Sequence, residues 1–453
     1  MSLSARLLFA LLLAVYLVAG WWTTRHVAAT GDETEYLIAA DAMIHGEGLA
    51  LDRRFAEIAT TSYAPGQPIS EAEYLASTAP SFAHPGRYPR HDVGLAILIA
   101  PLLALGGRAL VVGSIGLAMA GAVAITTAIA PAFGGTPRAS FAAGAAVGLA
   151  APAITYSGQV FPDAVAPLVV AVALASVPGR APAFAGGLAV AVLPLLHLRY
   201  WPLALGLLAL MLWRSHRDRR SVAALVAPLL ATVLALSLID LATYGVASPH
   251  AGFILFFSGH EEEVRAYTRG AEGLLGLFLD RAFGLLPAAP LFPVMFAGVG
   301  AALRETRCRA LLAVALAYLV PASLLDWTGA FSPQARYLAP LLPIVAVVMA
   351  LAIDLAPRAL RLLAMALAVW TAGQSLIYVV LPHLRYDVYS LPPYADRAWL
   401  RVTGIAPSGV FPLFGTDGAS AALLAAWSGA LVLLVAFGWL SWRRHEEAAR
   451  SGV

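Results

Sequence analysis

Val93-Gly94-Leu95-Ala96-Ile97-Leu98-Ile99-Ala100-Pro101-Leu102-Leu103-Ala104-Leu105-Gly106-Gly107 is an apolar run broken by a proline. A helix needs about 20 apolar residues to cross a bilayer core, so this run is short for a span. If it crossed, Arg138 and Arg180 would fall outside the membrane and Asp163 inside. If it lies in the interface, the Arg-rich connectors Arg214 to Arg220, Arg304 to Arg309, Arg358 to Arg361 and Arg443-Arg444 all share one side. Short cationic connectors mark that side as cytoplasmic. The stretch therefore reads as a non-spanning surface helix.

Outward from it, twelve spanning helices are predicted, roughly 7–27, 109–132, 139–158, 163–178, 183–197, 200–214, 221–244, 286–303, 310–327, 337–356, 361–382 and 418–442. The fold class is an all-α polytopic membrane protein, a single transmembrane domain over 1–453 with no soluble domain expected. Both termini are then cytoplasmic. A cleaved signal peptide is the rival reading of 7–27, but its apolar core would be unusually long. The first outer loop, 28–108, holds surface helices, and larger outer loops follow at 245–285 and 383–417, the former with an apolar Gly252-to-Phe257 run. A shorter loop, 328–336, runs into Tyr337. Gly144 and Gly148 give a weak helix-packing signal.

The composition agrees. Of 453 residues, 60% are hydrophobic and 12% charged, the balance of a chain whose solvent is mostly lipid. All 29 basic residues are arginine and the net charge is +3, too small to suggest a nucleic-acid partner. Cys308 is the one cysteine, which excludes an internal disulfide and a thiolate metal cluster. No Gly-rich nucleotide loop is present.

Chemistry-bearing residues gather on the outer side. Gly31-Asp32-Glu33-Thr34-Glu35-Tyr36 packs three carboxylates into four residues just past the first span, with Asp41 and Glu47 behind. Crowded carboxylates raise one another's cost of ionisation, so a metal, a cationic partner or a proton-transfer role is one explanation, and a solvated first helical turn the other. Asp163 follows Pro162 at an outer helix mouth, either as an N-cap or as a second acid on the same face. His91 and Asp92 precede the surface helix, which Asp92 alone would cap. His197 and Arg199 sit where two short, proline-flanked helices meet; His197 is either a chamber ligand or a buried histidine with a hydrogen bond. Arg336, Arg281 and Arg199 fall on the same side, either snorkelling or forming a phosphate site, since a guanidinium offers paired donors and keeps its charge. Acids for a hydroxyl and arginines for a phosphate, beside apolar surface helices, suggest a lipid-phosphate substrate.

At these residues the chain resembles a known family. GDETEYLIAADAMIHGEG (31–48) is similar to the first-loop acidic motif of the GT-C glycosyltransferases, in particular bacterial members related to protein O-mannosyltransferases and lipid A aminoarabinose transferase. The likeness continues in family order through the 93–107 helix, YSGQVFPD (156–163), LLHLRY (195–200), FLDRAFGLLPAAP (278–290) and SPQARYLAP (332–340). It implies a GT-C fold in a bacterial inner membrane, with an extracytoplasmic active site. It implies a polyprenyl-phosphate sugar donor, a hydroxyl acceptor on a lipid, glycan or protein, and displacement at the anomeric carbon with inversion. By position, Asp32 would be the general base, Glu33 would orient it, and Asp163 would assist, holding a divalent cation if one is used. Arg336, Arg281 and Arg199 would bind the donor phosphate, with His197, Tyr36 and His91 lining the substrate site. The chain lacks the soluble C-terminal domain of larger members, and no second Asp or His lies near Asp163 in sequence.

Two other classes compete. A transporter or lipid flippase would use ionisable groups near the bilayer midplane, for which Asp240, Asp326 and Asp354 are the candidates. A scaffold for envelope assembly would leave the acids and arginines without a role.

Overall fold

The computed structural model describes residues 2–29, 31–54, 78–258, 270–324, 332–385, 399, 404–405, 407–414 and 421–451. Seven helices there are long and apolar enough to cross a membrane, and the chain is a multi-pass membrane protein. The seven run Leu3–His26, Gly94–Phe133, Arg219–Tyr244, Thr306–Ser323, Arg336–Leu355, Arg358–Val380 and Ala421–Arg444, with shorter apolar helices at Pro162–Ser176, Ala183–Leu196 and Phe292–Ala302.

The twelve predicted spans therefore do not all appear as full-length helices. The piece expected at 139–158 stops at Gly148 and resumes for one turn at Ala153–Tyr156, after Pro152, which has no N–H to continue the helix. The piece expected at 286–303 is broken by Pro287, Pro290 and Pro293 into Leu285–Ala288, a 3-10 turn and Met295–Ala302. Nor are the described residues purely helical: Thr78–Pro80 pairs antiparallel with Arg87–Pro89, Ala79 opposite Tyr88. Glu261 to Arg269, Asp326, and most of 383–417 lie outside the described residues.

Helix α1 (Leu3–His26) buries Leu8, Leu12 and Tyr16, and the Tyr16 hydroxyl donates to Gly148 O at 2.6 Å, so no polar group is stranded. A Cβ on Gly144 would lie 2.1 Å from Thr127 Oγ1 and one on Gly148 2.6 Å from Leu12 Cδ1, so both glycines mark tight helix contacts. Helix α2 (Asp32–Ile44) was expected at the surface. It is buried along most of its length, with Asp32, Glu33, Glu35, Tyr36, Leu37 and Ala40 all inside. Its acids are paired within the protein, which removes the need for solvent.

Helix α3 (Gly94–Ile129) is continuous in outline but breaks at Gly106 and Gly107, the latter at φ 63° and ψ −166°. That backbone region is essentially glycine-only, so the pair divides an opening segment from the long helix behind it. The break falls at the end of the run predicted to lie apart from the spans. Beyond α3, α4 (Ala183–Leu196) ends at His197, a 3-10 turn spans Leu198–Tyr200, and α5 (Trp201–Ser215) follows. One contiguous apolar cluster joins Leu8, Leu37, Leu95, Val170, Val190, Leu203, Leu311 and Val347, and so runs through the whole bundle. The two-stranded ribbon and the short helix α6 (Ala251–Phe257) form a smaller cluster with Tyr88, Tyr244 and Phe256.

Candidate active site

Gly31 opens the site at φ 56°, a backbone that resists a side chain, and caps the N-terminus of α2. Asp32, Glu33 and Glu35 fill the first turn, where exposed N–H groups favour negative charge. Residues three apart share a helix face, so Asp32 and Glu35 point one way and Glu33 another.

On the Asp32 face, Arg336 joins two acids. Its Nη2 donates to Asp32 Oδ2 and its Nε to Asp163 Oδ2 at 3.0 Å. The turn that presents it puts Ala335 at φ 59°, and the Ala335 N–H is held by Phe283 O at 2.8 Å. Arg199 Nη2 donates to both oxygens of Asp163, and the Tyr200 hydroxyl to Oδ1 at 2.7 Å. Aromatic faces back both cations: Phe161 lies 4.8 Å from the Arg336 guanidinium and Tyr337 4.7 Å from that of Arg199.

The other flank is built from Arg90 and His91. Arg90 Nη2 donates to Glu35 Oε1 at 2.8 Å, and its Nε to His91 Nε2 at 3.3 Å. That imidazole nitrogen lies 3.2 Å from Glu35 Oε2 and 3.7 Å from Asp32 Oδ1. Tyr36 stacks on His91 with centroids 5.6 Å apart, and His197 meets it at 5.6 Å. Glu35 Oε2, His91 Nδ1 and the Tyr36 hydroxyl are buried without a hydrogen-bond partner.

A third set clamps the turn that carries Arg199. Asp92 Oδ2 accepts from the Leu198 N–H at 2.7 Å, and its Oδ1 pairs with His250 Nδ1. His250 Nε2 in turn accepts from the Trp201 indole at 2.6 Å.

Burial and charge act differently on the three acids of α2. Burial opposes ionisation of Asp32, but Arg336, His91 and Arg90 outweigh it and hold the carboxyl well below its ordinary 3.8. Burial wins at Glu33 against Arg108, and at Glu35 against Arg90 and His91, so both carboxyls rise above 4.5.

A divalent cation at Asp163 does not fit these residues. Both of its oxygens accept from guanidinium groups and one also from a phenol, so its lone pairs face cations already. Asp32, Glu35 and His91 bring one atom each within 4.8 Å of one another, a spacing a metal can use. Arg90 and Arg336 reach those same carboxylates and balance their charge.

No protein-family model and no curated protein matches the chain. Among solved structures, it is similar to the crystal structure of ArnT from Cupriavidus metallidurans bound to undecaprenyl phosphate. The TM-score is 0.52 at 16% identity, covering 98% of this chain and 78% of that one. The fold is GT-C. The apo crystal structure of the same ArnT matches with a TM-score of 0.47 at 16% identity, covering 96% and 75%.

Within the GT-C fold, the candidates named from sequence separate. Asp32, Asp163, Arg336 and Arg199 form one connected chain, and His91, Tyr36 and His197 stand beside it. Glu33 does not join them. It turns away to Arg108 Nε at 2.7 Å, while Arg108 Nη1 donates to Val27 O at 2.8 Å. Arg281 does not join them either: its Nε and Nη2 donate to Phe411 O and Gly409 O at 3.2 and 3.1 Å. Sequence reasoning counted Glu35 among the crowded acids without giving it a role of its own, and passed over Arg90 and His250. Helical spacing from Asp32 was signal enough for Glu35; Arg90 and His250 had none beyond their charge.

Proposed function

We propose that this chain is a membrane glycosyltransferase that moves a sugar from a polyprenyl-phosphate donor to a hydroxyl acceptor. The observation that carries the reading is the buried chain Asp32–Arg336–Asp163–Arg199, in a fold shared with an ArnT crystallised with undecaprenyl phosphate. Arg336 and Arg199 are suited to bind a phosphate in place of part of their carboxylate contacts, since both present several N–H donors in one plane. As the anomeric C–O bond breaks, its electron pair leaves with the lipid phosphate, where the guanidinium groups stabilise it. The acceptor oxygen forms the new bond from the opposite side, giving inversion. Its proton passes to the acidic face of α2. Tyr36, His91 and His197 offer ring faces and polar edges to the sugar between these two ends.

The Arg-rich connectors support an extracytoplasmic site in a bacterial inner membrane. The acceptor hydroxyl belongs to an envelope lipid, glycan or protein. The geometry favours transfer over transport. Asp240 accepts from the Ala251 N–H at 2.8 Å and Asp354 from the Thr136 N–H at 2.7 Å, so both serve as caps rather than as relay groups.

The test is to purify the chain in lipid nanodiscs and titrate it with undecaprenyl phosphate. Saturable binding that Arg336→Gln weakens about ten-fold or more supports the donor site. Binding equal in the two proteins removes it. Transfer of label from a panel of undecaprenyl-phosphate-linked hexoses into envelope extract then identifies the acceptor class.

A further inference from the structure

We propose that Glu35, supported by Arg90 and His91, is the group that takes the acceptor proton, while Asp32 serves to orient Arg336. The inference rests on the glycosyl-transfer reading and names a residue within it.

The two carboxyls share one face of α2 but have different surroundings. Asp32 Oδ2 accepts from Arg336, and Arg336 is anchored in turn on Asp163. A proton arriving at that carboxyl would have to weaken a buried ion pair. Glu35 is also paired, but its partner Arg90 is 22% exposed where Arg336 is 5%, so water offsets more of the loss. Arg90 holds Oε1 at 2.8 Å and fixes the plane of the carboxylate, while Oε2 is buried and has no hydrogen-bond partner. Only 8% of Glu35 is exposed, so water does not solvate that oxygen freely. His91 Nε2 lies 3.2 Å from it and can share the bound proton on releasing its hydrogen bond from Arg90 Nε. His91 Nδ1 and the Tyr36 hydroxyl are likewise buried without a partner, and hydroxyl groups of a bound sugar or acceptor would satisfy them.

The basicities run the same way. Burial leaves Glu35 a stronger base than a solvated glutamate, whereas Asp32 is held as a poor one. The charged and titratable groups around Glu35 are Arg90 and His91 from the segment before α3 and Asp32 from its own helix, with Arg336 beyond Asp32 and His197 beyond His91. The step balances. The acceptor O–H proton moves to Glu35 Oε2, the acceptor oxygen bonds to the anomeric carbon, and the bond to the phosphate oxygen breaks with its electron pair leaving on the lipid phosphate.

Two measurements on the full chain in nanodiscs separate this inference from the reading beneath it. The first is infrared difference titration of the carboxyl groups, which needs no donor. Glu33 supplies a second raised band, so the comparison is made in a Glu33→Gln background: there a protonated-carboxyl band with a raised midpoint should vanish on adding Glu35→Gln, persist on adding Asp32→Asn, and return at a shifted midpoint with Glu35→Asp. The second is the pH profile of transfer from undecaprenyl-phosphate-linked hexoses to envelope extract. Glu35→Gln should slow transfer by about 10²–10⁴-fold and flatten the acid limb, with Glu35→Asp recovering part of the rate. A band that Asp32→Asn removes and Glu35→Gln leaves, or wild-type turnover and acid limb in Glu35→Gln, overturns the assignment. Loss of undecaprenyl phosphate binding in Arg336→Gln with either of those results keeps the donor site and rejects Glu35 alone.

Discussion

Arg336 and Asp32 lie 304 residues apart in the chain and share a buried hydrogen-bonded ion pair. The same guanidinium reaches Asp163, so one late arginine fastens the start of the chain to its middle. Arg336→Met would leave two buried carboxylates without their common partner. The expected loss is about 3–5 kcal/mol of stability, read as lowered resistance to denaturant in detergent. Adding Asp32→Asn should return part of it, because one stranded charge is gone. No recovery in the double variant would mean that the arginine acts through packing alone.

The acids of α2 give opposite pH signatures. The Asp32 carboxyl is lower in the folded protein than its ordinary 3.8, so its contribution is present above that value and lost as pH falls through the depressed folded value. Glu33 and Glu35 are raised above 4.5 in the folded protein. Their contribution is present below that value and lost as pH rises through the raised folded value. Stability of Glu33→Gln against pH, compared with wild type, should therefore fall less steeply from pH 4.5 upward. A steeper fall would reverse the sign assigned to burial.

The Asp92–His250–Trp201 clamp holds the turn that presents Arg199. His250→Phe would deprive Asp92 Oδ1 and the Trp201 N–H of their partner. The expected cost is about 1–3 kcal/mol, with weaker undecaprenyl phosphate binding through misplacement of Arg199. Loss of stability with unchanged binding would confine the clamp to a structural role.

Arg281 was expected at the donor phosphate, yet it spends its donors on the 409–411 carbonyls. Arg281→Ala should speed hydrogen exchange in 409–414 and leave undecaprenyl phosphate affinity within about two-fold. A loss of affinity comparable to that of Arg336→Gln would restore it to the phosphate site.

Gly107 has no atom within 4 Å of where a Cβ would stand, so Gly107→Ala tests backbone alone. At φ 63° and ψ −166° the alanine should cost about 1–3 kcal/mol, measured by unfolding in detergent.

Much of this site was legible because charge is rare in a lipid-solvated chain. Asp32, Asp163, Arg199 and Arg336 stand out against their apolar neighbours, and the proline-flanked 195–200 stretch signals a turn between short helices. Glu33 and Glu35 lie two residues apart in the same acidic run, and the direction of each side chain separates them; helical spacing held that information. Arg281 and Arg199 look alike in sequence, since each is an arginine near an outer turn, and tertiary contacts alone divide them. The breaks at 148–153 and 285–295 were carried by prolines but hidden by uniform hydropathy. His250 belongs to a loop whose docking onto Asp92 no local pattern announces.

In the site, Asp32, Glu35 and Asp163 stand against Arg90, Arg199 and Arg336, so opposite charges compensate within a few ångströms. An arrangement of that kind projects little potential into the water above it, and added salt has little left to screen. Such a site does not draw anions from afar. It suits a ligand tethered in the bilayer that arrives by lateral diffusion and trades places with a carboxylate on contact.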